Sequence, residues 1–248
     1  MSKTRLYEEL SLNAHPSLQT QLYDGWILRY ANGYTNRANS ICPLYPSEID
    51  PLTKIAECEK RYFERGMSTT FKLTDDSDPG LDSALAGRGY TIVTPTFVMD
   101  MDIHDKAFSS GESVITNHAD NDFLEAYFAI SRYTDNTRID AAKKIFENVR
   151  SPMICARIVK NGATVACGSS VVERDHAMLH NIVVDETKRG MGYGQEVCEA
   201  LLFEAKRAGA LVSYLQVIQD NHVAINLYKK LGFKTAYSYW YRARQYKA

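Results

Sequence analysis

Residues 185–194 read DETKRGMGYG. Three glycines fall at alternate positions, Gly190, Gly192 and Gly194, with two basic residues, Lys188 and Arg189, just before them. The stretch follows an apolar β-type run, AMLHNIVV (177–184). It leads into a helical period over 192–208 that puts Val197, Leu201, Leu202, Ala205 and Ala208 on one face and stops at Gly209. Strand, glycine turn and helix start together form a general anion-binding arrangement. The free amides of the first helical turn point at the ligand, the helix dipole favours negative charge, and glycine lets a ligand approach the backbone.

The spacing rules out two nucleotide loops. A P-loop requires lysine and a hydroxyl residue after its last glycine, and Gln195-Glu196 stands there instead. A dinucleotide fingerprint needs G-x-x-G at its end inside a βαβ unit; here the third glycine comes one residue early, after a meander of hairpin strands. Three glycines at a helix start would be costly with no ligand to use the access they give.

Arg189-Gly190-Met191-Gly192-Tyr193-Gly194 matches [QR]-x-x-G-x-[GA] and resembles the signature loop of the GCN5-related N-acetyltransferase family. The strand end Ile182-Val183-Val184-Asp185 before it and the block Asn221-x-x-Ala224-x-x-Leu227-Tyr228-x-x-x-Gly232-Phe233 after it resemble the same family. The resemblance covers about residues 112–244. It implies an α/β (α+β type) fold, with a mixed, mostly antiparallel sheet flanked by helices, that binds acetyl-CoA between two parallel strands, 177–184 and 211–217. It implies cofactor contacts at Ile182, Val183 and Val184, which would pair with the pantetheine amides. Further contacts are implied at Arg189, Gly190, Met191, Gly192, Tyr193, Gly194 and Gln195, around the pyrophosphate, and at Asn221 and Tyr228. Asn221 also reads as a helix N-cap.

The resemblance makes Tyr228 the general acid that protonates the leaving thiolate, a task suited to a group with an ordinary pKa of about 10. The family's usual base is a glutamate at one of two positions, and these read Met178 and Gln216, neither of which takes a proton. His180, two residues after Met178 and so on the same strand face, is a candidate base; a lone strand histidine is more often structural. A water chain is the alternative. Cys198 lies inside the helix between Val197 and Leu201 and reads as packing rather than as a nucleophile. The expected reaction is direct acetyl transfer from acetyl-CoA to a primary amine, on a small molecule or peptide, in a ternary complex and with no metal. The rival reading is a CoA-binding sensor that has lost catalysis.

Bulk properties set outer bounds. The chain has 248 residues, 45% apolar and 24% charged, with a formal charge of −1. That balance gives no bulk attraction to nucleic acid or to an anionic membrane. The five cysteines, at 42, 58, 155, 167 and 198, form no C-x-x-C pair and suit a reducing cytosol. MSKTRLYEELSLNAHP has no apolar signal-peptide core, and no apolar run approaches a membrane span. The expected location is therefore cytoplasmic.

The first half echoes the second at an offset of 143 residues: Gly66 falls on Gly209, Gly89-Tyr90 on Gly232-Phe233, and the predicted helix 52–65 on the helix after the glycine loop. Coincidence of strand–helix rhythm is the plainer alternative. The reading adopted is two copies: a truncated, degenerate domain over 1–104 that lacks the opening strand and helices, and a complete one over 112–248. Opposite the glycine loop stands PSEIDP (46–51), without glycine and with two carboxylates, so the first copy is expected to hold no CoA. Arg29, Tyr30, Tyr34, Asn36, Arg37 and Asn39 surround a predicted hairpin and are expected to face the acceptor, although a solvated hairpin face would look the same. Such a tandem is expected to be a monomeric pseudo-dimer or a homodimer. The segment FKTAYSYWYRAR (233–244) is expected to make two strands or a hairpin.

Overall fold

The computed structural model describes residues 1–245; the last three residues of the predicted second domain lie outside that range. The described residues separate into two compact units, Met1–Phe97 with the segment from Tyr237 onward, and Val98–Ala236.

The first unit opens with helix α1 (Lys3–Ala14), capped by Ser2, whose side chain accepts the Arg5 amide at 3.2 Å. Strands β1 (Gln19–Tyr23) and β2 (Trp26–Tyr30) form a hairpin. Its two turn residues, Asp24 and Gly25, have φ of 44° and 78°, a primed turn that suits strand twist. Then come β3 (Ile41–Pro43), α2 (Pro51–Phe63), β4 (Thr69–Thr74), α3 (Pro79–Gly87) and β5 (Thr91–Asp102). Strand β3 runs parallel to β4. The core between sheet and helices holds Leu28, Ile41, Ile55, Tyr62, Phe71 and Leu85.

Ahead of the first strand shared with the other half, residues 3–23 hold α1 and β1, two elements that the sequence reading did not place. The buried face of α1 carries Glu8 beside Tyr7 and Leu10, which hides its apolar period. Glu8 is paired inside with Lys72 at 2.5 Å and with the Tyr237 hydroxyl at 2.8 Å. Of the polar cluster at 29–39, Arg29, Tyr30, Tyr34 and Asn39 are buried inside the unit, whereas Asn36 is exposed and Arg37 half-buried. Arg29 is 3% exposed and donates to the carbonyls of His15, Leu12 and Arg37. Asn39 accepts the Ala31 and Gly33 amides at 2.7 and 3.0 Å and donates to Thr35 O. These two side chains tie the loop together inside the unit, and Tyr30 and Tyr34 are buried with them.

The second unit contains β6 (Val114–Thr116), α4 (Asn121–Ile130), α5 (Asn136–Asn148), β7 (Met153–Lys160), β8 (Ala163–Glu173) and β9 (His176–Val184). After a 3₁₀ turn at Glu186–Lys188 come α6 (Tyr193–Arg207), β10 (Val212–Ile218), α7 (His222–Leu231) and the start of β11 (Lys234–Arg244). The sheet order β10-β9-β8-β7-β6 is antiparallel except for the parallel pair β9–β10. This is the expected mixed, mostly antiparallel sheet with flanking helices. Segment 233–244 makes one continuous strand rather than a hairpin: it holds no Gly, Asn or Pro to turn it, and its far half pairs with β4 in the first unit.

Candidate active site

The parallel register of β9 and β10 ends at Leu179↔Leu215. Just beyond, β9 carries a bulge. Ser169 of β8 faces His180 and Cys167 faces Val183, so the single residue Gly168 opposes two, and Asn181 takes φ of 56°. A Cβ on Gly168 would lie 2.4 Å from Ile182 Cδ1, which explains the glycine inside an otherwise apolar strand. Bulge and splay together leave one edge of Ile182–Val184 without a β10 partner, and that edge lines a cavity of about 800 Å³.

The glycine loop and α7 form the next walls. Gly190 and Gly192 have φ of 79° and 89°, and Gly192 is the N-cap of α6 with no side-chain cap. Arg189 and Gly194 line the cavity; Gly190, Met191, Gly192 and Tyr193 form the loop between them. Gln195 is not among the lining residues: its amide bonds to Gly192 O at 3.0 Å and its side chain donates to Glu199 at 2.7 Å. On α7, Asn221, Ala224, Leu227 and Tyr228 face the cavity. Asn221 caps the helix, accepting the Ala224 amide on Oδ1 at 3.1 Å. Tyr228 is 8% exposed, with its ring edge-to-face to Phe233 at 6.1 Å.

The fourth wall comes from α4, α5 and their link: Tyr127, Arg132, Tyr133, Asp135 and Arg138. Arg132 pairs with Glu186, which also lines the cavity. Asp135 caps α5, accepting the Thr137 amide at 2.9 Å. The sequence does not announce this wall, because Tyr127 fits an apolar helical stripe and does not look like a site residue. Asn181 could have been noticed, since asparagine is poorly suited to a strand interior and often marks a bulge.

The structure therefore gathers Ile182, Val183, Val184, Arg189, Gly194, Asn221 and Tyr228 on one cavity. His180 is not among its lining residues; it is 5% exposed, and its Nδ1 accepts from the Asn181 amide at 3.2 Å. Met178 is buried, and Gln216 half-buried. All five cysteines are buried and free, and burial pushes the Cys198 thiol up to about 12, which keeps it from acting as a nucleophile. Among the described residues no cluster of three or more His, Cys, Asp or Glu side chains could hold a metal ion, and no helix is long and apolar enough to cross a membrane.

In the first unit, the stretch at an offset of 143 from the glycine loop is held from within the unit. The Asp24 carboxylate accepts the amides of Glu48 at 3.1 Å and Ile49 at 2.9 Å, and Asp50 caps α2 through the Thr53 amide at 3.0 Å. Lys54, which is 0% exposed at its side chain, pairs with Asp24 at 3.0 Å and lies over the Trp26 ring at 4.1 Å. An internal carboxylate thus occupies the Glu48 and Ile49 amides of this loop.

Comparison with known proteins agrees with this architecture. Residues 1–242 match the family model described as "Probable histone acetyltransferase Rv0428c C-terminal". An uncharacterized N-acetyltransferase, YobR of Bacillus subtilis, is 27% identical over 258 residues, covering 99% of this chain and 100% of the relative. The [Ribosomal protein bS18]-alanine N-acetyltransferase of Escherichia coli is 35% identical over 80 residues, 32% of this chain and 54% of that protein. Among solved structures, a GCN5-related N-acetyltransferase from Kribbella flavida superposes with a TM-score of 0.73 at 15% identity, covering 98% of this chain and 96% of its own. A tandem protein of the same fold from the clavulanic acid pathway gives 0.62 at 16% identity, over 77% of this chain and 69% of its own.

Proposed function

We propose, for a chain that belongs to the Rv0428c C-terminal family and so to the GCN5-related N-acetyltransferases, that its second unit transfers acetyl from acetyl-CoA to a primary amine within a ternary complex. The chain is an acyl-CoA-dependent acetyltransferase; the donor, the acceptor class and the role of each residue are our reading.

The pyrophosphate is held by Arg189 and the amides of Gly190 to Gly194. Gln195 is left out of the cradle because its own amide is bonded to Gly192 O. Pantetheine lies along Ile182–Val184 as an added strand, and Asn221, whose Oδ1 caps α7, offers Nδ2 to the pantetheine arm. The amine nitrogen attacks the thioester carbon, forming the C–N bond, and the C–S bond breaks. Tyr228 gives its proton to the departing sulfur and recovers one, through solvent, from the attacking nitrogen, which sheds its second proton to become the neutral amide. With methionine and glutamine in the usual base positions, and His180 away from the cavity wall, the amine loses its first proton to water before attack.

One observation carries this reading: Tyr228, Gly194 and the unpaired edge Ile182–Val184 line the same cavity. The first unit contributes no second site, because Asp24 holds its loop amides. The test is release of free thiol from acetyl-CoA by the purified chain with a panel of amines. Turnover with an amine, dependent on Tyr228, supports the reading. Acetyl-CoA binding without turnover on any amine favours the CoA-binding sensor, which the absent glutamates allow.

A further inference from the structure

Tyr127 is 6% exposed and lines the cavity. Its ring is enclosed by Phe123 at 6.2 Å, Phe128 at 5.5 Å, Tyr133 at 6.1 Å and Phe146 at 5.9 Å. Four rings leave the phenol little freedom, so the hydroxyl has a fixed place. That hydroxyl donates to Asn181 Oδ1 at 3.4 Å.

The direction of this bond is set further in. Asn181 Nδ2 reaches Ser169 Oγ at 3.1 Å and His180 Nδ1 at 3.2 Å. The Ser169 hydroxyl donates to His180 O at 3.3 Å, so its lone pairs face the amide. An amide nitrogen only donates. Nδ2 therefore points at Ser169 and His180, and Oδ1 points at Tyr127. The Tyr127 hydroxyl thus donates toward Asn181, and its oxygen keeps the capacity to accept.

We propose that the Tyr127 oxygen receives an N–H of the acceptor amine, and that Asn181 is the positioning residue that gives it this polarity. The proposal rests on the acetyl-transfer reading. An attacking amine must keep its own lone pair for the thioester carbon. A hydroxyl that donated to the nitrogen would occupy that lone pair, whereas one that accepts an N–H orients the amine and leaves the nucleophile free. Asn181 stands one residue before the edge Ile182–Val184, so a single side chain sets the polarity of Tyr127 at the bulge that opens the pantetheine edge.

The experiment measures steady-state kinetics of the full chain with acetyl-CoA and two acceptors, a peptide with a free N-terminal alanine and Nα-acetyl-lysine. Tyr127→Phe keeps the ring packing and is expected to lower kcat/KM for the acceptor roughly tenfold, as loss of one bond to a polar ligand does, with KM for acetyl-CoA unchanged. Asn181→Gly keeps the positive φ and removes the amide; it is expected to show the same loss, and the double variant no more than either alone. An unchanged acceptor kcat/KM in Tyr127→Phe, an equal rise in both KM values, or multiplying losses in the double variant overturns the proposal. No thiol release from the unaltered protein with either amine is a different result, which overturns the acetyl-transfer reading itself.

Discussion

The Asp24 carboxylate accepts the Ile49 amide at 2.9 Å, and the offset of 143 residues sets Ile49 opposite Gly192 of the glycine loop. The first unit thus holds an internal anion at the position that the offset sets opposite the glycine loop. The chain should bind one acetyl-CoA, not two, and titration calorimetry measures this directly. A stoichiometry of two would mean that Asp24 gives way to phosphate.

The same contact makes an acid-stability prediction. The Glu48 and Ile49 amides, ahead of the Lys54 ion pair, hold the Asp24 carboxyl below its ordinary value. A depressed folded pKa stabilises the fold above the unfolded pKa of about 3.9, and that stability is lost as pH falls through the folded value. Asp24→Asn should thus be less stable than the parent at pH 7, and the gap should close in acid. Denaturant midpoints at pH 7 and below pH 4 give the comparison; a gap that persists in acid would assign the loss to packing rather than charge.

Gly192 caps α6 with φ of 89°, and no atom lies within 4 Å of a Cβ built there. Gly192→Ala is therefore strained by backbone conformation alone, about 1–2 kcal/mol. If the loop relaxes out of its cradle shape, KM for acetyl-CoA should rise about tenfold while kcat changes little. A drop in kcat at unchanged KM would place the loop in the chemistry instead.

Tyr228→Phe preserves the edge-to-face contact with Phe233 and removes only the hydroxyl. If Tyr228 protonates the thiolate, kcat should fall by roughly 10²–10⁴, with acetyl-CoA affinity nearly intact by calorimetry. Parallel loss of both would make the tyrosine a binding residue.

Most of the second unit was legible because its signals are local: the glycines at 209 and 232, and an unbroken helical stripe after the loop. The offset also extends to whole elements, since α2, β4, α3 and β5 fall on α6, β10, α7 and β11. What escaped was non-local. The buried charge on α1 is satisfied by Lys72 and Tyr237, far away in sequence. The far half of β11 pairs outside its own repeat, and nothing in its alternating residues says so. Tyr127 looks like core until Asn181, 54 residues on, is folded against it.

The missing glutamates make a final prediction about the acceptor. If no side chain takes the first proton, kcat/KM should rise tenfold per pH unit up to the pKa of the amine itself. An α-amine, with a pKa near 7.7–8.0, should reach its plateau at about pH 8, and a lysine-type amine near 10.4 should still be climbing there. At pH 7 the free-base fractions differ by roughly 300-fold, so α-amines should be the better acceptors, by a smaller factor than that because the more basic lysine-type amine is the stronger nucleophile once deprotonated. The measurement is a pH–rate profile for the alanyl peptide and for Nα-acetyl-lysine with acetyl-CoA saturating. A plateau that begins near pH 6.5 for both amines would report a base on the enzyme rather than on the substrate, and His180 would return to the proton path.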